Sequence, residues 1–306
     1  MQKQRVPVVD LPALKRRLGK VGVWLSSLGR ESAATSRRAA EAMEDLGYGA
    51  LWIAESLGSK ESLVNSAILL SGTQRLVVAT GIANIYARDA AAAVAGANAL
   101  AEMSSGRFVL GLGVSHAPLV AVRGHEYGRP AETMRAYLDA MDQAPYDGPL
   151  SEPPARVLAA LRTKMLQLAA ERTHGAHTYF VTPEHTAMAR EALGPDLLLV
   201  PEQAVVLETD ADRARAIARD HTEFYLKLPN YLNHLRALGW TDADLADGGS
   251  DALVDAIVCW GDPEAISERV RAHHEAGADH VCVQPLVGSV EECLRSLQLL
   301  APVLIR

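Results

Sequence analysis

Short β-rich runs alternate with longer helical patterns along nearly the whole chain, and this alternation leaves few folds open. The runs lie at 21–25, 50–55, 76–84, 108–115, 156–161, 176–181, 197–206 and 280–286. Each is crowded with apolar and β-branched residues and is bounded by turn residues, as a strand requires. A strand followed by a helix returns parallel to its predecessor, so the pattern predicts a parallel sheet with helices outside. Eight repeats in 306 residues fit a closed (β/α)8 barrel, with a doubly wound open sheet as the alternative. The segment 221–258 breaks the rhythm with "KLPNY" and "GWTDADLADGGSD". It reads as a helical insertion before the last βα unit of a single domain spanning 1–306.

Punctuation supports the helices. One runs from about Ser32 to Leu46 and stops at Gly47. Another opens at Asp89, a good N-cap, and ends near Ser105-Gly106. Pro130 suits a first helical turn, with Met134, Leu138 and Met141 on one face behind it. A last helix begins near Ser289.

Composition narrows the function. The net charge is −7 with no block of like charges, so no basic stripe is present to neutralise phosphates, and a nucleic-acid partner is not expected. The longest weakly polar run, 90–101, is too short for a membrane span and holds Asn98. The N-terminus lacks the apolar core of a signal peptide. Cys259, Cys282 and Cys293 are odd in number and lack metal-ligand spacing, which fits a reducing cytoplasm and no metal.

In a barrel, function gathers where strands end. The segments to inspect are therefore Trp24–Ser27, Ala54–Ser56, Gly81–Arg88, Gly111–His116, Arg162–Lys164, Thr182–His185 and Pro201–Gln203. In "FVLGLGVSHAP", Gly111 and Gly113 share one strand face. Two missing side chains leave either a smooth patch for a planar ring or room for a bulky neighbour from another strand. The third strand shows the same economy in Ala79, Gly81 and Ala83, and a glycine inside a strand marks a bulge or a close approach. Asn84, Ser115 and His116 supply polar groups at the rim. After the fifth strand, Thr163 can cap a helix whose first turn carries Lys164. A cation there opposes the helix dipole unless an anion binds, so the choice lies between a phosphate site and a solvated lysine. Thr182 and Pro183 cap the next helix, leaving His185 as a structural or exposed histidine. His177 inside the sixth strand reads as a core histidine, and His125 lies in a loop able to fold over a ligand. No zinc spacing, nucleophile elbow or GxGxxG is present.

Taken together, "VGVWL", "LGYGALWIAES", "RLVVATGIANIYARDAAAAVAGANALAEMSSGRFVLGLGVSHAP", "MRAYLDAMD", "LLLVPEQAVVL" and "GADHVCVQPL" resemble the luciferase-like monooxygenase superfamily. More narrowly, they resemble its coenzyme F-420 (deazaflavin)-dependent oxidoreductases. The resemblance implies a barrel holding a deazaflavin at its C-terminal face and moving a hydride to or from a small organic substrate. It also implies a homodimer and a cis peptide joining Gly81 and Ile82 behind the cofactor ring. On this pattern Asn84, Gly111, Gly113 and Ser115 flank the ring. Arg162, Thr163 and Lys164 stand where relatives place the cofactor phosphate, though many of those read Gly-Pro-Lys. Relatives often end strand two in an Asp-His pair, whereas this chain has Glu55-Ser56. Serine cannot replace histidine in acid–base work near neutral pH, so His116, or else Glu55, is the expected proton-transfer group. Trp24 is expected to wall the substrate pocket. FMN-dependent monooxygenation and non-catalytic flavin binding stand as the alternative functions.

Overall fold

The computed structural model describes residues 8–305. Eight parallel strands close on themselves: β1 (Val21–Trp24), β2 (Ala50–Ile53), β3 (Val77–Thr80), β4 (Phe108–Gly113), β5 (Ala155–Ala159), β6 (Gly175–Thr178), β7 (Leu198–Val206) and β8 (Val281–Pro285). Closure is made by β8, which pairs with β1 at Val21↔Val281 and with β7 at Glu202↔Cys282. The barrel expected from the alternation is therefore present, and the open sheet is excluded.

Two further pieces of strand sit at the C-terminal rim. Ala83–Asn84 pairs with the end of β4, and Cys259–Trp260 pairs with the end of β7. The first corrects the continuous strand expected over 76–84. The chain breaks at the Gly81–Ile82 peptide, which is cis, and resumes pairing two residues later. The remaining strands match expectation with ends shifted by one to three residues, because edge residues turn away to begin loops.

Period-two alternation sorts the strand residues. Trp52, Ala79, Val109, Val157, Leu198 and Val200 point inward and fill the barrel. Leu14 and Leu18 of the helix Leu11–Leu18 join that cluster and close the N-terminal end. That helix was not foreseen, although Asp10 caps it by accepting from the Ala13 N–H at 2.9 Å. Outward residues such as Leu51, Val78, Leu110 and Val283 meet the surrounding helices. Those helices start where the caps predict: Asp89, Thr182 and Ser289 each accept a backbone N–H of the first turn.

Between β7 and β8 lie the helices Ala211–Tyr225, Pro229–Ala237, Asp242–Leu245 and Asp251–Ile257. Their apolar residues form a separate cluster with Phe180, Ala204 and Val206, so this layer packs on the C-terminal end of the barrel. No described helix is long and apolar enough to cross a membrane.

Candidate active site at the mouth of the barrel

The turn after β3 is tied to its neighbours. The Gly81 N–H donates to Ile53 O at 2.7 Å, and the Glu55 N–H donates to Ile82 O at 3.3 Å. Trp24 Nε1 donates to Gly81 O at 2.9 Å, so the tryptophan ring braces the cis peptide from the first strand. A Cβ on Gly81 would lie 3.0 Å from Trp24 Nε1 and 3.1 Å from His177 Nε2. Gly81 is thus where the aromatic ring and the buried histidine converge, and a side chain would push them apart.

Gly111 and Gly113 are explained by packing. A Cβ at Gly111 would stand 2.0 Å from Thr80 O, and one at Gly113 would stand 2.4 Å from Ile82 Cδ1. The bulky neighbour is Ile82, seated over the glycine face of β4. The smooth patch read from sequence is therefore covered by a side chain of the adjoining turn, and both glycines set the path of Ile82.

Glu55 corrects its expectation as an acid–base group. Its Oε2 accepts the Asn84 N–H at 2.7 Å, while Oε1 pairs with Arg88, which also pairs with Glu61. Burial opposes the guanidinium charge, but the two carboxylates outweigh it and raise the Arg88 pKa. With both oxygens engaged and only 3% of its side chain exposed, Glu55 holds the turn in place. Asn84 is buried in the same turn, where its Oδ1 accepts the Tyr86 N–H at 2.9 Å.

Ser115 and His116 leave the end of β4 together. Ser115 has a φ of 58°, a left-handed conformation uncommon outside glycine, and its carbonyl accepts Tyr127 Oη–H at 3.2 Å. His116 precedes the helix Ala117–Val122 and lies 3.1 Å, through Nδ1, from Asn230 Oδ1 on the helix Pro229–Ala237. Because Asn230 presents oxygen, Nδ1 carries the proton and Nε2 keeps a lone pair. Burial lowers the His116 pKa, partly offset by the Asn230 bond, so the ring stays neutral at pH 7. The insertion thus touches a histidine that stands just past a strand end and keeps an available base nitrogen.

Arg162, Thr163 and Lys164 are exposed at the start of the helix Thr163–Arg172. Thr163 is not the cap: the extended residue before the helix is Arg162, and it makes no side-chain cap bond. The chain enters helical geometry one residue earlier than the capping argument placed it. The opening N–H groups therefore carry no capping oxygen from Arg162. Burial, followed by the His185 ring and the Arg162 charge, lowers the pKa of His234 in the insertion to about 3. His185 is buried and structural, with Nε2 at 2.7 Å from Leu161 O.

Sequence reasoning passed over Tyr179 and Phe180 at the centre of the mouth, gave Glu202 no role, and read His177 as the core histidine that its burial shows it to be. Tyr179 lies 5.0 Å, ring to ring, from Trp24, donates its hydroxyl proton to Gln284 Oε1 at 2.9 Å and accepts Tyr225 Oη–H at 2.8 Å. Phe180 has a φ of 60°, rarer still for a bulky side chain. Its N–H donates to Glu202 Oε2 at 3.3 Å. His177 stacks on Trp52 at 4.8 Å, and burial lowers its pKa to about 4. Glu202 was inside the span 201–203 singled out for inspection. The signal for it was available: Leu198 and Val200 face inward, so Glu202 must follow them, a carboxyl in an otherwise apolar strand.

The comparisons with known proteins agree with this architecture. The family model described as luciferase-like monooxygenase matches residues 18–280. The chain is 24% identical over 302 residues to the 5,10-methylenetetrahydromethanopterin reductase of Archaeoglobus fulgidus, covering 84% of this chain and 90% of that protein. Among solved structures it superposes with a TM-score of 0.72 on an F420-dependent secondary alcohol dehydrogenase in complex with an F420-acetone adduct. That match has 14% identity and covers 93% of this chain and 98% of that one. The EDTA monooxygenase of Chelativorans sp. BNC1 gives the same TM-score, 0.72, at 14% identity, covering 94% of this chain and 93% of that one. At such identities the structural likeness speaks for the fold. The family model spans the first seven barrel strands and ends just before the eighth, and the chain belongs to the luciferase-like monooxygenase family.

Proposed function

We propose that the chain is a coenzyme F-420-dependent oxidoreductase that moves a hydride between the deazaflavin and a small organic substrate. The observation that carries this reading is the group around Gly81: a turn braced by Trp24, floored by Ile82 on two glycines and bordered by Tyr179. Apolar and aromatic walls with few polar atoms suit a flat ring system. The exposed Arg162 and Lys164 beside the opening N–H groups of Thr163–Arg172 suit an anionic tail. The residues present therefore fit a ring cofactor bearing phosphate, and the likeness to the F420-dependent secondary alcohol dehydrogenase supports the deazaflavin among such cofactors.

The deazaflavin, when bound, supplies the hydride chemistry; the protein supplies orientation, exclusion of water and management of the protons that accompany the hydride. His116 takes that last role at the rim. Its neutral ring offers Nε2 as a base, and its contact with Asn230 fixes the tautomer. Trp24 walls the substrate side, and the layer 211–257 covers it. The reading includes a homodimer acting in the cytoplasm.

A second reading, an FMN-dependent monooxygenase, is favoured by the likeness to the EDTA monooxygenase. Turnover separates the two. The protein loaded with reduced F-420 should oxidise it on addition of a small carbonyl or unsaturated substrate, at a rate indifferent to oxygen. A reaction that needs FMN and stops when oxygen is removed would replace the first reading with the second.

A further inference from the structure

Glu202 is a buried carboxyl that the roles assigned above leave unused. It is 1% exposed and lies on the inward face of β7, two residues past Val200, opposite Cys282 of β8. One oxygen, Oε2, accepts the Phe180 N–H. The other, Oε1, is buried and has no hydrogen-bond partner among the described residues. An ionised carboxylate in that position would leave a charged oxygen unsatisfied, a cost far above that of a neutral acid.

The groups acting on Glu202 do not relieve the charge. From the segment after β6 come Tyr179 and Phe180; from the insertion come Tyr225 and Tyr231; from β8 comes Cys282. Burial keeps each of these tyrosines and the thiol in its neutral form. No cationic side chain is among the groups that set its titration. Burial therefore raises the Glu202 pKa to about 8, with the Phe180 N–H partly offsetting the rise. A carboxylic acid held neutral at pH 7 is a proton donor, and a donor near that pKa works best close to neutral pH.

Resting on the proposed oxidoreductase reading, we propose that Glu202 is the proton store of the mouth, standing as a neutral acid whose free oxygen donates its proton to the bound ligand. The step is a proton transfer alone. When a ligand carbonyl carbon receives a hydride with its electron pair, the C=O π pair moves onto oxygen. The Glu202 O–H bond breaks, a ligand O–H bond forms, and the carboxylate left behind takes a proton from water. His116 and Glu202 then divide the work by environment: the first is kept neutral as a base, the second neutral as an acid.

The test is Glu202→Gln, which keeps the shape and the acceptor for Phe180 N–H but cannot ionise. Two readouts need neither cofactor nor substrate. The first is the infrared C=O stretch of a protonated carboxyl at pH 7, expected in the native protein and absent from E202Q. The second is thermal stability. Between about pH 4.5 and about pH 8 native Glu202 holds a proton that the unfolded chain releases, so stability must fall as pH rises. E202Q lacks that slope, and its melting temperature should gain on the native protein across this window. The third readout is turnover with reduced F-420, expected to drop about a hundredfold in E202Q. It should also lose the alkaline limb that the native profile shows as Glu202 ionises, while F-420 affinity stays within about twofold. An identical infrared band in both proteins, or parallel melting curves, overturns the neutral acid. Unchanged turnover and an unchanged alkaline limb overturn the donor. Failure of the native protein to bind F-420 is a separate result: it sinks the cofactor reading and leaves the first two readouts in force.

Discussion

The residues at the mouth differ mainly in what their environments let them do. Glu55 is an acid by composition but a tether by geometry, because Arg88 and the Asn84 N–H occupy both its oxygens. His116 has one nitrogen committed to Asn230 and the other available, and burial keeps the ring uncharged. Replacing His116 with alanine should lower turnover by about a hundredfold, within the range for a lost general acid–base group, with F-420 affinity nearly intact. A depressed pKa also moves the acid limb of the native rate profile below the ordinary histidine range, since a base works only when unprotonated. Turnover unchanged in His116→Ala would remove the residue from the mechanism. His116 was legible in the sequence because it directly follows a strand at the predicted mouth. Tying up Glu55 required Arg88, 33 residues away in sequence, and that pairing has no local signal.

At the scale of elements, the junction of β3 and β4 is set by three glycines with distinct duties. Gly111 admits a backbone carbonyl and Gly113 admits the Ile82 side chain. Their substitution should therefore differ in cost. Gly111→Ala brings a methyl against Thr80 O, which is held in the sheet, so it should cost more than the ~1–3 kcal/mol typical of overpacking, or prevent folding. Gly113→Ala meets the outer atoms of Ile82, which can move, and should cost about 1–3 kcal/mol. Adding Ile82→Val to Gly113→Ala should recover part of that loss, a coupling that urea denaturation of the single and double variants would measure. Strict additivity would mean that Ile82 does not fill the space over Gly113. The strands and helix caps were legible because periodicity and capping act within a few residues. The identity of the body over the glycines was not, since a ring and an isoleucine leave the same gap in the sequence.

At the scale of the molecule, the eight-fold alternation dictated a closed barrel, and closure brings β1, β3, β6, β7 and β8 to a common mouth. Trp24, Gly81, Tyr179, Glu202 and Gln284 are far apart in the chain and become neighbours only there. The four helices of the 211–257 layer then cover that mouth, sending Tyr225 to Tyr179 and Asn230 to His116. Those contacts make the insertion part of the site, a role its sequence alone, read as a break in rhythm, did not reveal. On the proposed reading this mouth is built for a deazaflavin. The measurement that tests it most directly is calorimetric titration of the ligand-free protein with F-420 and, separately, with FMN. F-420 should bind saturably, with Lys164→Ala weakening it by about 1–3 kcal/mol through loss of a charge-assisted hydrogen bond, and FMN should bind more weakly. Tight binding of FMN without binding of F-420 would contradict it.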